Sequence, residues 1–383
     1  MYENIVKFIR QTYRGRKLVP LHEPCFKGRE KQYVIDTIDT SFVSSVGEYV
    51  TRFEKEIATF CGAKFAVATI NGTAALHATL KLSGINAGDE VITQPLTFVA
   101  TANAIAHTGA KPVFVDVDRK TLGLSPEKLD YFLKKNAMLR SCGTFNKKTG
   151  RRIKACIPMH TFGHPCLIQD IAKICRKYKI ILIEDAAESI GSYYRNLHTG
   201  LFGKAGILSF NGNKIITTGG GGMIITNNEN FAEKAKHLTT TAKIPHKWEY
   251  VHNKIGFNYR LPNINAALGC AQLENLPLFL KRKRKLAEHY RNFFNKIGMS
   301  FMIEPDNSLS NYWLNSIILK NLNEKNKFLY YSNSKGIMTR PAWRLMNKLI
   351  MYKDSQCGDL SNSKWLEERI VNIPSSIKNC IIT

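Results

Sequence analysis

The chain has 383 residues, of which 44% are hydrophobic and 22% are charged, and its formal net charge is +25. This length and composition are typical of a soluble globular protein with one large α/β domain and a smaller one. The apolar runs are short and interrupted by glycine or charged residues, so no membrane-spanning helix is predicted.

The basic residues are spread along the chain, and their one dense cluster, residues 281–285, falls within a helical pattern. No zinc-finger spacing, RNA-binding aromatic motif or helix-turn-helix accompanies them, so nucleic acid is not an expected partner. A solvated basic surface is the simplest interpretation. Anionic substrates or a peripheral membrane contact are the alternatives.

Residues 1–18 are predicted to form an N-terminal arm. Ile5, Phe8 and Ile9 fit one face of a short helix, which would dock on the same chain or on a partner subunit. The segment lacks the long apolar core of a signal peptide, and the nine cysteines of the chain include no CxxC pair. These features favour a cytoplasmic protein with free thiols.

From residue 19 onward, short apolar strands alternate with amphipathic helices. In chain order, the pattern predicts a helix, a strand and a second helix over 53–84, two strands separated by a helix over 89–118, and a polar loop at 143–154. A further strand, a helix at 168–179 and a strand at 180–185 follow. Because the strands are continuous apolar runs, we expect a mostly parallel sheet with helices on both faces.

The pattern changes near Gly256. A long helix follows, or two helices broken near Pro277, and after it comes a small mixed segment. We therefore predict a large domain over residues 19–255 and a small C-terminal domain over residues 256–383.

Two predicted strands lead into polar residues at the sheet edge where open α/β proteins bind ligands. Asn71, Gly72 and Thr73 open a helix, which indicates either a phosphate cradle or an ordinary helix start. Asp185 ends a buried strand, where it would act either as a helix cap or as the counter-ion of a buried cation.

A third strand ends near Ser209, and Lys214 follows it, with four glycines at 219–222. Three roles are open to this lysine: a phosphate clamp, an amine nucleophile or a solvated charge. The P-loop pattern GxxxxGK[ST] is absent, and GxGxxG fits poorly because the glycine run leads into a strand. We expect the glycines to allow a close backbone approach beside the lysine.

Together, a phosphate cradle, a buried acid and a lysine amine are the groups that pyridoxal phosphate requires. Phe98 follows another strand and would lie flat against the cofactor ring. His160 and His164 have i,i+4 spacing but fall in a loop without an evident partner, so no metal site is predicted. A G-x-S-x-G nucleophile motif is absent from the sequence.

Over roughly residues 18–376, successive motifs resemble those of the DegT/DnrJ-type nucleotide-sugar aminotransferases. They include NGTAALHATL, ILIEDAAES, SFNGNKIITTGGGGMI and GFNYRLPNINAALGCAQLE. The resemblance implies a fold-type I pyridoxal-phosphate enzyme, with a mostly parallel sheet of the seven-stranded type between helices and a small C-terminal α+β domain. It also implies an enzyme that is at least dimeric, with L-glutamate as amino donor and a nucleotide-diphosphate sugar as acceptor.

The resemblance also implies a role for each matching residue. Lys214 would bind the cofactor covalently and move protons, and Asp185 would pair with the ring nitrogen. Glu188 would lie beside the phenolic oxygen, where the family often has glutamine or histidine, and Phe98 would stack on the ring. Four residues would hold the phosphate, the last of them from the neighbouring subunit: Gly72, Thr73, Ser209 and Asn258.

Several segments, among them SFNGNK and TRPAWRL, resemble one branch of the family. That branch aminates C4 of a nucleotide-linked 4-keto-6-deoxy-N-acetylglucosamine, towards legionaminic acid or bacillosamine and hence surface polysaccharides. Arg340 and Trp343 are then candidate substrate contacts; otherwise they are a surface arginine and a packed tryptophan.

Two other functions are alternatives to C4 amination: 3-amination of a deoxythymidine-linked 3-keto sugar, and a non-catalytic regulatory protein that binds the cofactor. The presence of Lys214 argues against the dehydratase members, in which a histidine replaces it.

Overall fold

The structure is a computed structural model that describes residues 1–377. Its α-helices, numbered along the chain, are α1 (Tyr2–Thr12), α2 (Glu30–Asp39), α3 (Glu48–Cys61), α4 (Gly72–Leu82), α5 (Val99–His107), α6 (Pro126–Asn136), α7 (Ile168–Lys177), α8 (Glu229–Thr239), α9 (Asn263–Lys296), α10 (Leu322–Ser334) and α11 (Ser361–Glu367). Within this part of the chain, no helix is both long and apolar enough to cross a bilayer.

The strands in the first part of the chain are β1 (Phe65–Thr69), β2 (Glu90–Thr93), β3 (Lys111–Phe114), β4 (Ala137–Arg140), β5 (Gly143–Asn146), β6 (Arg152–Ile157), β7 (Ile181–Asp185), β8 (Tyr193–Tyr194) and β9 (Leu197–His198). The later strands are β10 (Ala205–Ser209), β11 (Gly222–Thr226), β12 (Ser300–Phe301), β13 (Ser308–Leu309), β14 (Asn315–Ile318), β15 (Arg340–Pro341) and β16 (Ile370–Ile373).

The central sheet has the strand order β1-β11-β10-β7-β6-β2-β3, a path of seven strands. The pairs from β10 through β3 are parallel, whereas β11 is antiparallel to both of its neighbours. The predicted mostly parallel sheet is confirmed. The sheet is nevertheless mixed, because β11 runs against the other strands of this path.

The sheet carries a hairpin, β4–β5, which pairs with β6 through β5. The prediction of a polar loop over residues 143–154 is therefore wrong for both ends of that segment. Strand pairing places Asn146 in the interior, where its side-chain amide donates a hydrogen bond to the buried Glu90 carboxylate at 2.7 Å. The polar character of this segment thus reflects buried hydrogen bonding in addition to exposure.

Helices cover both faces of the sheet because successive strand side chains point in opposite directions. Leu182 packs into a core formed with α6 and α7, whereas its neighbour Ile183 packs into another core with α4, α5 and α8. Strand β7 is therefore apolar at successive positions over residues 181–183, as expected for a sheet buried on both sides.

Helix α9 continues through Pro277 as one helix, so the first of the two predicted alternatives is confirmed. It is followed by a second sheet of order β12-β14-β16-β15. The arm forms α1, and its residues Ile5 and Ile9 are fully buried in a core that includes parts of α9 and α10. The arm therefore docks on its own chain, and the division of the chain at residue 255 stays a prediction.

Most cysteines of the described residues carry free thiols, and Cys61, Cys156, Cys166, Cys175 and Cys270 are buried. Cys25 differs, because it is disulfide-bonded. The prediction of free thiols is therefore wrong for this residue. Cys25 is almost completely buried, in the core that contains α3 and α9.

Candidate active site

The strand register brings three strand ends together. Gly222, the first residue of β11, lies opposite Thr69 at the end of β1 and opposite Ser209 at the end of β10. On the other side of β10, Ile207 lies opposite Asp185, the last residue of β7. A cavity of about 300 Å³ opens at this edge of the sheet, where sequence analysis predicted the ligand site.

The N-terminus of α4 forms one wall of this cavity. The side chain of Asn71 caps the helix by accepting a hydrogen bond from the Ala74 amide at 2.8 Å. Gly72 and Thr73 line the cavity, and the first amides of a helix have no acceptor within the helix. Such amides, together with the positive end of the helix dipole, suit a phosphate group.

Two glycines allow the backbones to converge at this wall. A Cβ atom on Gly72 would lie 3.2 Å from the Cβ of Ser209 and 3.5 Å from its hydroxyl oxygen. A Cβ atom on Gly222 would clash with the backbone of Asn71. Of the four glycines at 219–222, Gly222 makes a close backbone approach, and its neighbour is the start of α4 rather than the lysine. Gly72 lies against Ser209, which places the Ser209 hydroxyl beside the start of α4.

Asp185 lies on the opposite side of the cavity and is buried. Its carboxylate accepts a hydrogen bond from the Thr101 hydroxyl at 2.6 Å and another from the Ala187 amide at 3.2 Å. Turns rather than a helix follow β7, so the helix-cap alternative is wrong. The carboxylate is instead held at the cavity wall by these two donors, and a carboxylate in this position suits a protonated ring nitrogen.

Lys214 lies in the turn between β10 and β11, and only 12% of its side chain is exposed. Its amine is 3.2 Å from Oε1 of Glu188 and lies over the ring of Trp313, 4.0 Å from the ring centroid. The interpretation of Lys214 as a solvated surface charge is therefore wrong. An enclosed amine at a cavity that also holds a carboxylate has the setting expected of a nucleophile.

Glu188 is buried next to this amine. Burial raises its pKa from the usual value to about 7, and the nearby Asp185 carboxylate adds to the rise, whereas Lys214 and the Phe162 amide oppose it. The Phe162 amide donates to Oε2 at 2.9 Å. Glu188 can therefore hold or release a proton near neutral pH, directly beside the lysine.

Aromatic side chains form the outer part of the cavity. Phe98 lines the opening and is 50% exposed, and its ring centroid is 6.3 Å from that of Trp343. Trp343 in turn packs on Phe162, with a centroid separation of 4.9 Å. The free face of Phe98 is available to a planar ring.

Two predicted residues lie away from this cavity. Asn258 is exposed, and its side-chain oxygen accepts a hydrogen bond from Arg260 at 2.9 Å. Arg340 is also exposed, and its guanidinium donates to Asn333 and to the Thr339 carbonyl. Neither residue lines the cavity of its own chain, so only a neighbouring subunit or a long substrate would bring them to a site.

The histidines of the HTFGH segment are both fully buried. His160 pairs with the buried carboxylate of Glu184, with 3.1 Å between Nε2 and Oε2. In residues 1–377, no group of three or more His, Cys, Asp or Glu side chains is arranged to hold a metal ion.

Sequence reasoning missed three residues that shape the site. Thr101 holds Asp185, the Phe162 amide holds Glu188, and Trp313 lies under Lys214. Thr101 could have been found, because it lies in the first turn of the helix that follows Phe98. Trp313 gave no local signal, since it is about a hundred residues away from the lysine in the chain.

The comparisons with known proteins agree with this geometry. Residues 24–379 match the DegT/DnrJ/EryC1/StrS aminotransferase family. GDP-perosamine synthase of Escherichia coli O157:H7 is 35% identical over 338 residues, which cover 88% of each chain. The putative pyridoxal phosphate-dependent aminotransferase EpsN of Bacillus subtilis is 36% identical over 366 residues, which cover 94% of this chain and 91% of EpsN.

A solved structure supports the fold. The aminotransferase TlmJ from Streptoalloteichus hindustanus superposes with a TM-score of 0.84 at 26% identity, over 94% of this chain and 93% of its own. The fold and the site thus define a pyridoxal-phosphate-dependent aminotransferase of fold type I. The chain belongs to the DegT/DnrJ/EryC1/StrS aminotransferase family.

The residues present fit the cofactor of this family. The amides at the start of α4 and the Ser209 hydroxyl suit its phosphate, Asp185 suits its ring nitrogen, and Lys214 supplies the amine. When bound, pyridoxal phosphate supplies an aldehyde that reacts with amines and a ring that takes up electrons from the adjacent carbon.

Proposed function

We propose that this enzyme transfers the amino group of L-glutamate to C4 of a nucleotide-linked 4-keto-6-deoxy-N-acetylhexosamine. The product would be a 4-amino-4,6-dideoxy sugar for surface polysaccharides, made in the cytoplasm on a route such as that to legionaminic acid or bacillosamine. One observation carries the proposal: an enclosed lysine amine faces a cavity that combines a phosphate cradle with a buried carboxylate.

Each side chain has a defined task in this proposal. The amine of Lys214 anchors the cofactor and, once free, takes the proton from the α-carbon of the donor. Asp185 keeps a proton on the ring nitrogen by accepting a hydrogen bond from it. Glu188 hydrogen-bonds to Lys214 and can carry a proton near pH 7. The aromatic side chains at the opening exclude water from the reacting atoms.

The choice of a nucleotide sugar rests on the relatives. The similar protein from Escherichia coli is named GDP-perosamine synthase, which supports a nucleotide-linked sugar for this chain as well. Trp343 lies beside Phe98 at the opening of the cavity, where it is placed to contact a sugar. Arg340 is proposed to contact the diphosphate farther out, where its exposed position leaves it accessible.

A Lys214→Ala variant tests the central assignment. We expect it to fold, to lose the visible absorbance of the lysine-bound cofactor and to lose turnover by about a thousandfold or more. Lys234→Ala, at an exposed position on α8, is the control and should behave as the native enzyme. Undiminished turnover of Lys214→Ala would falsify the assignment.

The sugar is tested separately by turnover of a panel of nucleotide-linked 4-keto and 3-keto sugars with L-glutamate. We expect amination of a 4-keto-6-deoxy-N-acetylhexosamine, with the new amine at C4 in the isolated product. Amination at C3 of a deoxythymidine-linked 3-keto sugar would replace the proposed substrate with the alternative one. Absence of turnover with every sugar would contradict the enzymatic proposal.

We also propose a homodimer in which Asn258 reaches the phosphate held by the neighbouring subunit. The segment just before Asn258 exposes Trp248, Tyr250 and Ile255, and such apolar exposure suits burial against a second copy. Mixing inactive Lys214→Ala subunits with weakened Asn258→Ala subunits should restore activity, because one site of each mixed dimer has both native residues. No recovery after verified subunit exchange would rule out shared sites.

A further inference from the structure

The basic cluster at residues 281–285 contains one lysine that differs from its neighbours. Lys281 and Lys285 are exposed, whereas Lys283 has no accessible surface. Among residues 1–377, the hydrogen-bond partners of its amine are two backbone carbonyls, those of Trp313 at 2.7 Å and Ser375 at 2.6 Å. A lysine amine is rarely buried without a carboxylate, so its retention here calls for a reason.

One of the two carbonyls that Lys283 holds belongs to Trp313, the tryptophan under the active-site lysine. Trp313 is fixed at two further points: its backbone amide donates to Asn311 at 2.8 Å, and its indole Nε1 donates to the Asn213 carbonyl at 2.7 Å. Asn213 directly precedes Lys214 in the chain. The indole therefore contacts both the backbone of the lysine turn and, through its ring face, the lysine amine.

The same short segment is tied to the other residue that contacts the amine. The side-chain amide of Asn311 donates to the carbonyls of Glu188 and Ile190, each at 2.9 Å. Residues 311–313 thus connect the turn that carries Glu188 with the turn that carries Lys214. The segment itself is anchored from behind by Lys283 on α9.

We propose that Trp313 is a positioning residue for Lys214, and that Lys283 fixes Trp313 for this task. A free lysine side chain has many rotamers, and a bond to the cofactor requires one of them. The indole face and the Glu188 carboxylate together confine the amine to one place at the cavity wall. This inference rests on the proposed role of Lys214 as the covalent anchor.

The test follows the covalent step by rapid-mixing absorbance, with apoenzyme and saturating pyridoxal phosphate. In this step the Lys214 nitrogen bonds to the aldehyde carbon, and the aldehyde oxygen leaves as water. We expect Trp313→Leu to slow this step about tenfold, because the amine then samples the many rotamers from which the indole face excludes it. Trp313→Phe, which keeps a ring but loses the indole donor, should slow it about threefold.

Lys283→Met should also slow the covalent step about threefold, because the Trp313 carbonyl loses its donor. The matched control is Lys285→Met, an exposed lysine of the same cluster, and its rate should equal that of the native enzyme. Equal rates for Lys283→Met and Lys285→Met would overturn the role of Lys283.

A separate affinity measurement distinguishes positioning of Lys214 from general support of the cavity. Non-covalent affinity for pyridoxal phosphate is measured in Lys214→Ala with and without Trp313→Leu, and we expect less than a twofold difference. A tenfold loss there would show that Trp313 supports the cavity itself, and an unchanged covalent rate in Trp313→Leu would also overturn the proposal. A covalent adduct in Lys214→Ala would instead refute the proposed role of Lys214.

Discussion

Glu184 and Glu188 lie on either side of Asp185 and are both buried, yet they belong to regions that differ in hydrogen-bond donors. Behind the end of β7, Glu184 accepts from three backbone amides, at 2.6 to 2.9 Å, and from an imidazole. These donors belong to Gly200, Phe202, Gly203 and His160. On the cavity side, Glu188 accepts from one amide and from the amine of Lys214.

Glu184 and Glu188 differ in whether their hydrogen-bond donors stay in place when the enzyme reacts. The amides around Glu184 are part of the folded backbone, so its charge is compensated as long as the protein is folded. One of the donors to Glu188 is an amine that must leave to react, and burial raises the pKa of Glu188 to about 7. Burial alone therefore does not distinguish the two carboxylates, whereas the supply of fixed donors does.

The largest effect is expected from removing the carboxylate with fixed donors. Glu184→Ala leaves one buried and two half-buried amides and the buried His160 ring without an acceptor, so the apoenzyme should lose about 4 kcal/mol of unfolding free energy. Urea unfolding followed by circular dichroism measures this loss. Glu233→Ala, at an exposed position on α8, should change stability by less than about 0.5 kcal/mol. A similarly small change for Glu184→Ala would remove the distinction between the two regions.

Replacing Glu188, the carboxylate at the cavity, should stabilise the apoenzyme at high pH rather than destabilise it. The pKa of Glu188 is about 7 when folded and near 4.5 when unfolded, so the folded state binds more protons between these values. The contribution of Glu188 to stability is therefore fully present below pH 4.5 and is lost as pH rises through 7, by about 3 kcal/mol in total at pH 8.

Glu188→Gln has no charge to bury, so it should lack this loss. We subtract the unfolding free energy of the native apoenzyme from that of the variant at each pH. This difference should be about 3 kcal/mol larger at pH 8 than at pH 4.5. Unfolding free energies of both proteins at the two pH values measure the effect. A native-minus-variant difference that is the same at both pH values would show that Glu188 is compensated as well as Glu184.

These two regions also show what the sequence can predict. Asn71, Asp185 and Lys214 were found because each lies at the end of a strand or in the turn that follows it, and strand ends are visible in the hydrophobic pattern. The mostly parallel sheet followed from the alternation of strands and helices. The chemistry of pyridoxal phosphate then needed only the residue types at those ends.

What the sequence could not reveal depends on contacts between distant segments. The donors to Glu184 come from residues 200–203, which gave no pattern of their own. Trp313 meets the lysine turn across a separation of 100 residues. The β4–β5 hairpin was missed for the same reason, since a short polar strand becomes visible only through its partner β6.

The smallest effect is expected from His164, which lacks a hydrogen-bonding partner such as the Glu184 carboxylate of His160. His164 is fully buried, and neither ring nitrogen has a hydrogen-bond partner among the described residues. Burial lowers its pKa to about 4, so below pH 6.5 the unfolded chain binds a proton that the folded protein excludes. The contribution of His164 to stability is therefore lost as pH falls from 6.5 towards 4, by about 2 kcal/mol at pH 5.

His164→Leu should lack this loss between pH 7 and pH 5, whereas His246→Leu, at an exposed position, should retain it. If the unfolding free energies of the native protein and His164→Leu depend on pH equally, His164 has a hydrogen-bonding partner in solution, as His160 has the Glu184 carboxylate.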